Sequence, residues 1–349
     1  MFGDVCGAGC DIAGAVLKRS WRAAIHDGVT GIGFGTWAWG NQLLWGYSSG
    51  EDDPDLKATF AAAVAAGLCL VDTADSYGTG RLNGRSETLL GQCLRELAPA
   101  SRPQLVVATK LAPFPWRLGR RGFLKAFQAS RTRLSGHLDR VQLHWSTARY
   151  APWQELPLLD GLADLVQAGE VRELGVSNVG PRRLKTLHER LASRGVRLAS
   201  VQVQLSLLAP DPIRSGGVIE VARDLGVEVL AYSPLALGVL ARPPGWSPGQ
   251  AQATALRSGL YRRLLPGSES LRQAMEAVAQ ARGASLVQVA LNWCRAHGAC
   301  PIPGVRRPQQ VEDARLALTW TLSDQERQHL DQISLSTSVR MPNNPFQSA

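Results

Sequence analysis

VDTADSYG at 71–78, VVATK at 106–110 and VQLHW at 141–145 decide how this chain folds. Each opens on a short apolar run and ends in polar residues: Asp72 with Tyr77 five positions on, then Lys110, then His144. Continuous apolar runs of this length fit strands buried on both faces, as parallel sheets require. Working outward, the same pattern marks candidate strands at 31–36, 68–73, 105–110, 141–145, 171–177, 200–204, 228–233 and 300–304. Segments of helical period lie between them at 55–67, 84–97, 120–135, 154–169, 180–194, 215–226, 270–282 with 285–297, and 307–318. Eight strands alternating with helices predict a single-domain α/β fold, a (β/α)₈ (TIM) barrel over residues 31–334. A Pro/Gly-rich stretch at 241–268 follows the seventh strand, residues 1–30 form an N-terminal extension, and 335–349 form an irregular tail.

The composition, 45% hydrophobic and 19% charged over 349 residues, is that of a globular chain, neither fibrous nor disordered. Apolar runs such as Ala61–Leu70 fall short of the roughly 20 residues that span a bilayer, so no membrane partner is expected. The net charge of +9 favours anionic partners in general. Its arginines are spread along the helices and no basic run interleaves with aromatics, which argues against nucleic acid. Only five of the basic residues are lysines, and a lysine ending an apolar strand stands out, because a buried ammonium can lose its proton and a guanidinium cannot. Cys6, Cys10, Cys69, Cys93, Cys294 and Cys300 show no CxxC pair, which predicts structural thiols in a reducing compartment and no metal site.

GIGFGTWAWG at 31–40 superficially matches a dinucleotide fingerprint. That motif needs its glycines to open a helix, with an acid ending the next strand; here they lie within the strand, and Glu51–Asp53 precede Pro54 in a loop. A barrel instead gathers its chemistry at the carboxyl ends of its strands. Taken singly, Asp72 reads as a helix cap, Tyr77 as a pocket wall, Lys110 as a solvated strand end and His144 as a core histidine. Converging on one mouth, they suit carbonyl reduction. An ammonium lowers a phenol's pKa, a carboxylate holds the ammonium, and an imidazole orients the carbonyl.

With these motifs in place, the chain resembles the aldo-keto reductases from about Gly31 to Leu330: DTADSYG, VVATK and QLHW match that family's Asp, Tyr, Lys and His tetrad. The resemblance implies NADPH as cofactor and a small-molecule aldehyde as substrate. GFGTWAWGNQLLWGY, DTADSYGTGRLNG, QLHWSTA and VQVQLSLL are similar to the branch of the family that reduces pyridoxal to pyridoxine in plastids. The same resemblance implies carboxamide contacts from Ser177, Asn178 and Gln202, first-strand contacts from Gly35, Thr36 and Trp37, and a pyrophosphate loop at Ser233, Leu235 and Gly238. Asp72 borders both cofactor and tetrad, and Arg306 with Arg307 are the candidates for a 2′-phosphate.

Three departures from the family pattern bear on the cofactor. Leu205 stands where relatives place a stacking aromatic, Gln310 and Ala314 where they place Arg and Asn, and Arg242–Pro243 near the position of a Gly-Lys pair. On the substrate side, Trp37, Trp39, Trp45, Trp116 and Trp145 are the candidates to wall a slot for a flat ring, at least two of the five being expected to pack beneath loops instead, with Arg81 and Arg117 at the surface. Two other functions fit the same residues: a broad-specificity aldehyde or ketone reductase, and a NADPH-binding regulatory subunit of slow turnover. The resemblance implies a chloroplast. Residues 1–30, with Asp4, Asp11 and Asp27 and only Ser20, lack the acid-poor, Ser-rich bias of a transit peptide, leaving a cytoplasmic location as the alternative.

Overall fold

The computed structural model describes residues 31–68, 70–80, 83–98, 105–247, 254–345 and 347–348. In chain order the elements are β1 (Phe34–Gly35), α1 (Gln42–Trp45), α2 (Asp53–Ala65), β2 (Leu70–Asp72), α3 (Arg85–Glu96), β3 (Val106–Leu111), α4 (Leu124–Arg133), β4 (Arg140–Leu143), α5 (Pro152–Gln167) and β5 (Glu173–Ser177). There follow α6 (Pro181–Ala192), β6 (Leu198–Gln204), α7 (Val218–Asp224), β7 (Glu228–Tyr232), α8 (Ala255–Leu264), α9 (Glu269–Arg282), α10 (Leu286–Ala296), β8 (Ala299–Ile302), α11 (Pro308–Ala317) and α12 (Asp324–Ser336). The strands pair in parallel in the order β1 to β8. Gly33 and Gly35 donate to the carbonyls of Pro301 and Pro303, closing the sheet into the expected (β/α)₈ barrel. Among the described residues no helix is long and apolar enough to cross a membrane.

The period-two alternation of each strand sorts its side chains between two cores. Val71, Val107, Val141, Leu143, Val176, Val201 and Val229 point outward and pack against the helices. Leu70, Val106, Ala108, Leu230, Cys300 and Ile302 fill the barrel interior. Because the register is fixed, the phase that turns Leu70 inward also turns Asp72 inward two residues later, and the phase of Val106 and Ala108 delivers Lys110. At the opposite end of the barrel the inward positions carry Arg140, Glu173 and Glu228, joined by two 2.8 Å hydrogen bonds from the buried guanidinium.

Within the stretch expected to be irregular, 254–264 differs: Thr254 caps α8, which buries Tyr261 and Leu264. α12 was also not anticipated, since its buried residues are only Leu330 and Ser334 and its apolar stripe is thin. Its start was nonetheless written in the sequence as a capping box between Ser323 and Glu326. Residues 1–30, Cys69 and Arg81 lie outside the described residues.

Candidate active site

The strand ends bring Asp72, Lys110 and His144 to one mouth, and the loop after β2 returns Tyr77 to them. The Tyr77 amide donates to Ala74 O (3.2 Å) and its carbonyl accepts from Gly84 N (2.9 Å). Lys110 and Asp72 are almost fully buried and form an ion pair through Nζ and Oδ2. Nζ also donates to Thr73 O at 2.9 Å and lies 4.9 Å from the Tyr77 ring centre. Asp72 Oδ1 accepts from Gln142 Nε2 (3.0 Å) and Gln202 Nε2 (2.9 Å), so both carboxylate oxygens are engaged. The Tyr77 and His144 rings meet edge to face at 5.8 Å, and His144 Nδ1 lies 3.4 Å from Ser76 Oγ.

Electrostatics separate the roles of these groups. Burial would lower the Lys110 ammonium, but the Asp72 carboxylate, with the Tyr77 hydroxyl adding to it, outweighs burial and holds Lys110 above its ordinary value. Burial raises the Tyr77 phenol above its ordinary value, with Lys110 opposing. The net direction corrects the sequence-based expectation of a lowered phenol, and it keeps Tyr77 protonated at neutral pH. Burial, then the charges of Lys110 and Arg117, push the His144 imidazole well below 6.5, so its ring is neutral.

Gln142 was not singled out in the sequence, although a polar residue at an inward strand position is a readable signal. Space for it comes from Gly175 opposite, where a Cβ would lie 3.0 Å from Gln142 Cγ and 2.5 Å from Ser200 Oγ. Behind the mouth, Ser86 donates to Thr36 O at 2.9 Å, and its hydroxyl lies 2.7 Å from that of Thr36 and 3.0 Å from that of Thr73. The buried Thr36 side chain therefore anchors α3.

At the ends of β5 and β6, Ser177, Asn178 and Gln202 lie together. Asn178 holds a left-handed backbone (φ 59°), which Asn tolerates better than most residues. Its Nδ2 donates to His144 O (2.9 Å) and Ser177 Oγ (3.1 Å), while Oδ1 accepts from Tyr232 Oη (2.8 Å) and Asn344 Nδ2 (3.0 Å). The tail thus lies across this edge of the mouth, fixed also by Met341 N to Leu208 O (2.8 Å) and Ser348 N to Asn178 O (3.1 Å). Leu205 is wholly buried, and Tyr232 is the aromatic residue that β7 brings to this edge. Ser233 (φ 52°), Leu235 and Gly238 (φ 96°) form the tight loop after β7.

The tryptophans divide. Trp145 packs 4.9 Å from His144, and Phe114, also not singled out in the sequence, bridges it to the exposed Trp116 by ring contacts of 6.0 and 4.8 Å. Trp37 is partly exposed and meets Trp45 edge-on at 6.2 Å. Trp39 is no pocket wall: it is fully buried, with Nε1 donating to Val305 O at 2.8 Å. Arg117 is no surface residue either. It pairs with the buried Asp75 and stacks 4.9 Å over Phe114. Arg306 donates to Trp45 O (2.7 Å) and pairs with Asp52 (3.2 Å), whereas Arg307 is exposed. Gln310 Oε1 accepts from the Arg306 and Arg307 amides, and Ala314 is buried.

A model of the Aldo/keto reductase family matches residues 31–335. The chain belongs to the aldo/keto reductase family. It is 46% identical over 323 residues to the chloroplastic pyridoxal reductase of Arabidopsis thaliana, covering 92% of this chain and 87% of that one. It is 32% identical to the 6-dehydroglucose reductase of Novosphingobium aromaticivorans, over 85% of this chain and 91% of that one. An aldo-keto reductase from Klebsiella pneumoniae, solved in complex with NADPH, superposes with a TM-score of 0.66 at 25% identity, covering 90% of this chain and 95% of that one. Membership makes this reductase an oxidoreductase, consistent with a mouth whose acids, bases and aromatics suit a small carbonyl compound.

Proposed function

We propose that the protein is an NADPH-dependent aldehyde reductase that converts pyridoxal to pyridoxine. The observation that carries this reading is the convergence of a protonated Tyr77, the Asp72–Lys110 pair and a neutral His144 at one barrel mouth. NADPH, when bound, supplies the hydride that reaches the carbonyl carbon. Tyr77 delivers its phenolic proton to the carbonyl oxygen, so that hydride and proton together complete the alcohol. Lys110 stabilises the phenolate left behind, and Asp72 keeps that ammonium charged and in place. With Nδ1 facing Ser76 Oγ, His144 has Nε2 to donate to the carbonyl oxygen and orient it.

The residues present suit the nicotinamide end of the cofactor. Gln202 uses its amide nitrogen on Asp72, leaving Oε1 to accept from a carboxamide N–H, and Ser177 and Asn178 offer a hydroxyl and an amide beside it. The Trp145–Phe114–Trp116 array beside His144 provides flat apolar walls for a pyridine ring. The similarity to a relative named pyridoxal reductase supports the choice of aldehyde.

Incubation with pyridoxal and NADPH is expected to remove the cofactor's absorbance with stoichiometric formation of pyridoxine. Cofactor that stays reduced in the presence of pyridoxal would overturn the assignment. A broad-specificity reductase is the second reading, favoured by the exposure of Trp37 and Trp116 and by the sugar substrate in the name of the Novosphingobium relative. Comparing kcat/KM for pyridoxal, methylglyoxal and simple aromatic aldehydes separates the two. Tight NADPH binding without reduction of any of them would instead favour a regulatory subunit. A plastid location, proposed from the name of the Arabidopsis relative, is checked by sequencing the N-terminus of the protein isolated from its source.

A further inference from the structure

Every hydrogen-bonding group of Asn178 is engaged. Its amide N–H donates to Gln202 O at 2.9 Å and its carbonyl accepts from Ser348 N at 3.1 Å. Nδ2 gives one hydrogen to His144 O and the other to Ser177 Oγ, and the two lone pairs of Oδ1 take Tyr232 Oη at 2.8 Å and Asn344 Nδ2 at 3.0 Å. The contacts to His144, Ser177, Gln202 and Tyr232 stay at the ends of β4 to β7, whose register fixes them. Those from Asn344 and Ser348 come from the tail. Asn344 Nδ2 also lies 3.3 Å from Tyr232 Oη, so one tail amide faces both residues.

The tail itself is lightly held. Met341 is buried and donates its amide to Leu208 O, but beyond it the described residues Pro342, Asn343, Asn344, Pro345, Gln347 and Ser348 are proline or polar, and only Ser348 is buried. The Ser348 hydroxyl finds no hydrogen-bond partner there. With so little apolar area buried, hydrogen bonds are what hold this segment, and water is an alternative partner for each of them. Asn344 also borders a cavity lined by Arg149, Gln204 and Asp211, which gives its side chain room to turn away. The asparagine side chain is a primary carboxamide, the same group that a nicotinamide carries on its ring. A carboxamide N–H approaching Asn178 Oδ1 therefore meets an acceptor already filled by a donor of its own kind.

We infer that Asn344 is an internal stand-in for the nicotinamide carboxamide, so that the tail keeps the nicotinamide end of the cofactor site closed until the cofactor displaces it. This rests on the cofactor reading above and adds a gate to it. The site is competent only in molecules whose tail has let go, and the apparent dissociation constant exceeds the intrinsic one by the reciprocal of that fraction. Arg306 and Arg307, the candidates for the 2′-phosphate, have no hydrogen bond to the tail among the described residues. A ligand with only the adenosine end should not feel the gate.

The test compares wild type with Asn344→Ala and with a chain ending at Pro342. Each is titrated calorimetrically, without aldehyde, with NADPH and with adenosine 2′,5′-bisphosphate, which lacks the nicotinamide. Asn344→Ala is expected to bind NADPH about two- to tenfold more tightly, the contribution of one neutral hydrogen bond, and the shorter chain at least as tightly, with the bisphosphate unchanged in both. Tyr232 still donates to Asn178 Oδ1 in these variants, so no acceptor is orphaned, and a gain in affinity is not a result that misfolding produces. NADPH affinity that is unchanged or weaker in Asn344→Ala would overturn the inference and make the tail a support for the cofactor. Equal tightening of both ligands would overturn it as well, because the effect would then not lie at the carboxamide. NADPH that binds to none of the three proteins would defeat the cofactor reading itself, and the gate with it.

Discussion

Replacing Asp72 by Asn tests how the buried ion pair supports the site. The substitution keeps the shape and removes the charge. Asp72 Oδ2 faces the Lys110 ammonium, and Oδ1 faces the amide donors of Gln142 and Gln202. An asparagine has one oxygen and one NH₂ group, so either flip sets a donor against a donor. Lys110 would remain buried with Thr73 O as its one acceptor of full strength among the described residues. Removing one partner of a buried pair costs about 3–5 kcal/mol, whereas replacing both is near neutral. With an unfolding entropy of about 2.1 cal/mol/K per residue, a chain of this length loses roughly 1.4 °C of Tm per kcal/mol, hence about 4–7 °C. The assay is a thermal double-mutant cycle at pH 7 with Asp72→Asn, Lys110→Met and the double variant. Because the folded Lys110 pKa is raised, the pair's stabilisation is full below the ordinary lysine value and is lost only as pH rises through the folded one, so pH 7 lies on the plateau. The double variant should be at least about 2 kcal/mol more stable than the sum of the single losses implies. A coupling below about 0.5 kcal/mol would show that the two buried charges do not support each other.

Three further outcomes are expected. With His144 held neutral by burial and by the charges of Lys110 and Arg117, kcat/KM should be flat from pH 6 to 9 and fall only as Tyr77 ionises above its ordinary value; a step near 6.5 that His144→Gln abolishes would contradict this. Burial raises the Asp75 carboxyl to about 6, Arg117 opposing, so its contribution is full below its ordinary value and lost as pH climbs to about 6; Asp75→Asn should flatten that fall in denaturation curves recorded from pH 4 to 6. Trp39→Ala should lower stability by about 3–5 kcal/mol because it empties the core and orphans Val305 O, whereas Trp116→Ala should leave Tm unchanged and raise KM for aromatic aldehydes only. Unfolding curves and steady-state kinetics on the two variants separate these effects.

The eight strands were legible because inward and outward positions alternate without interruption, so Leu70 and Asp72, or Val106, Ala108 and Lys110, announce a shared phase. The tetrad was legible for the same reason, as polar residues at strand ends have few other places to point. Gln142 was overlooked because its neighbour His144 carries the louder chemistry, although both lie on the inward phase of β4. Which of the five tryptophans would pack was not legible: a ring two residues from Trp37 looks like part of one wall, while a turn sends Trp39 into the core to Val305. Asn344 could not be placed at all: it reaches the mouth from a segment outside the βα repeat, where spacing along the chain carries no phase.

The central claim is that Tyr77 gives the proton, and the measurement closest to it is the single-turnover rate of pyridoxal reduction in Tyr77→Phe, with cofactor affinity determined on the same protein. The ring remains, so its packing against His144 and beneath Lys110 is preserved and only the hydroxyl is lost. NADPH binding is expected to stay within about threefold of wild type and the rate to fall by about 10²- to 10⁴-fold, the contribution of a positioned general acid. A variant that reduces pyridoxal at close to the wild-type rate would contradict it.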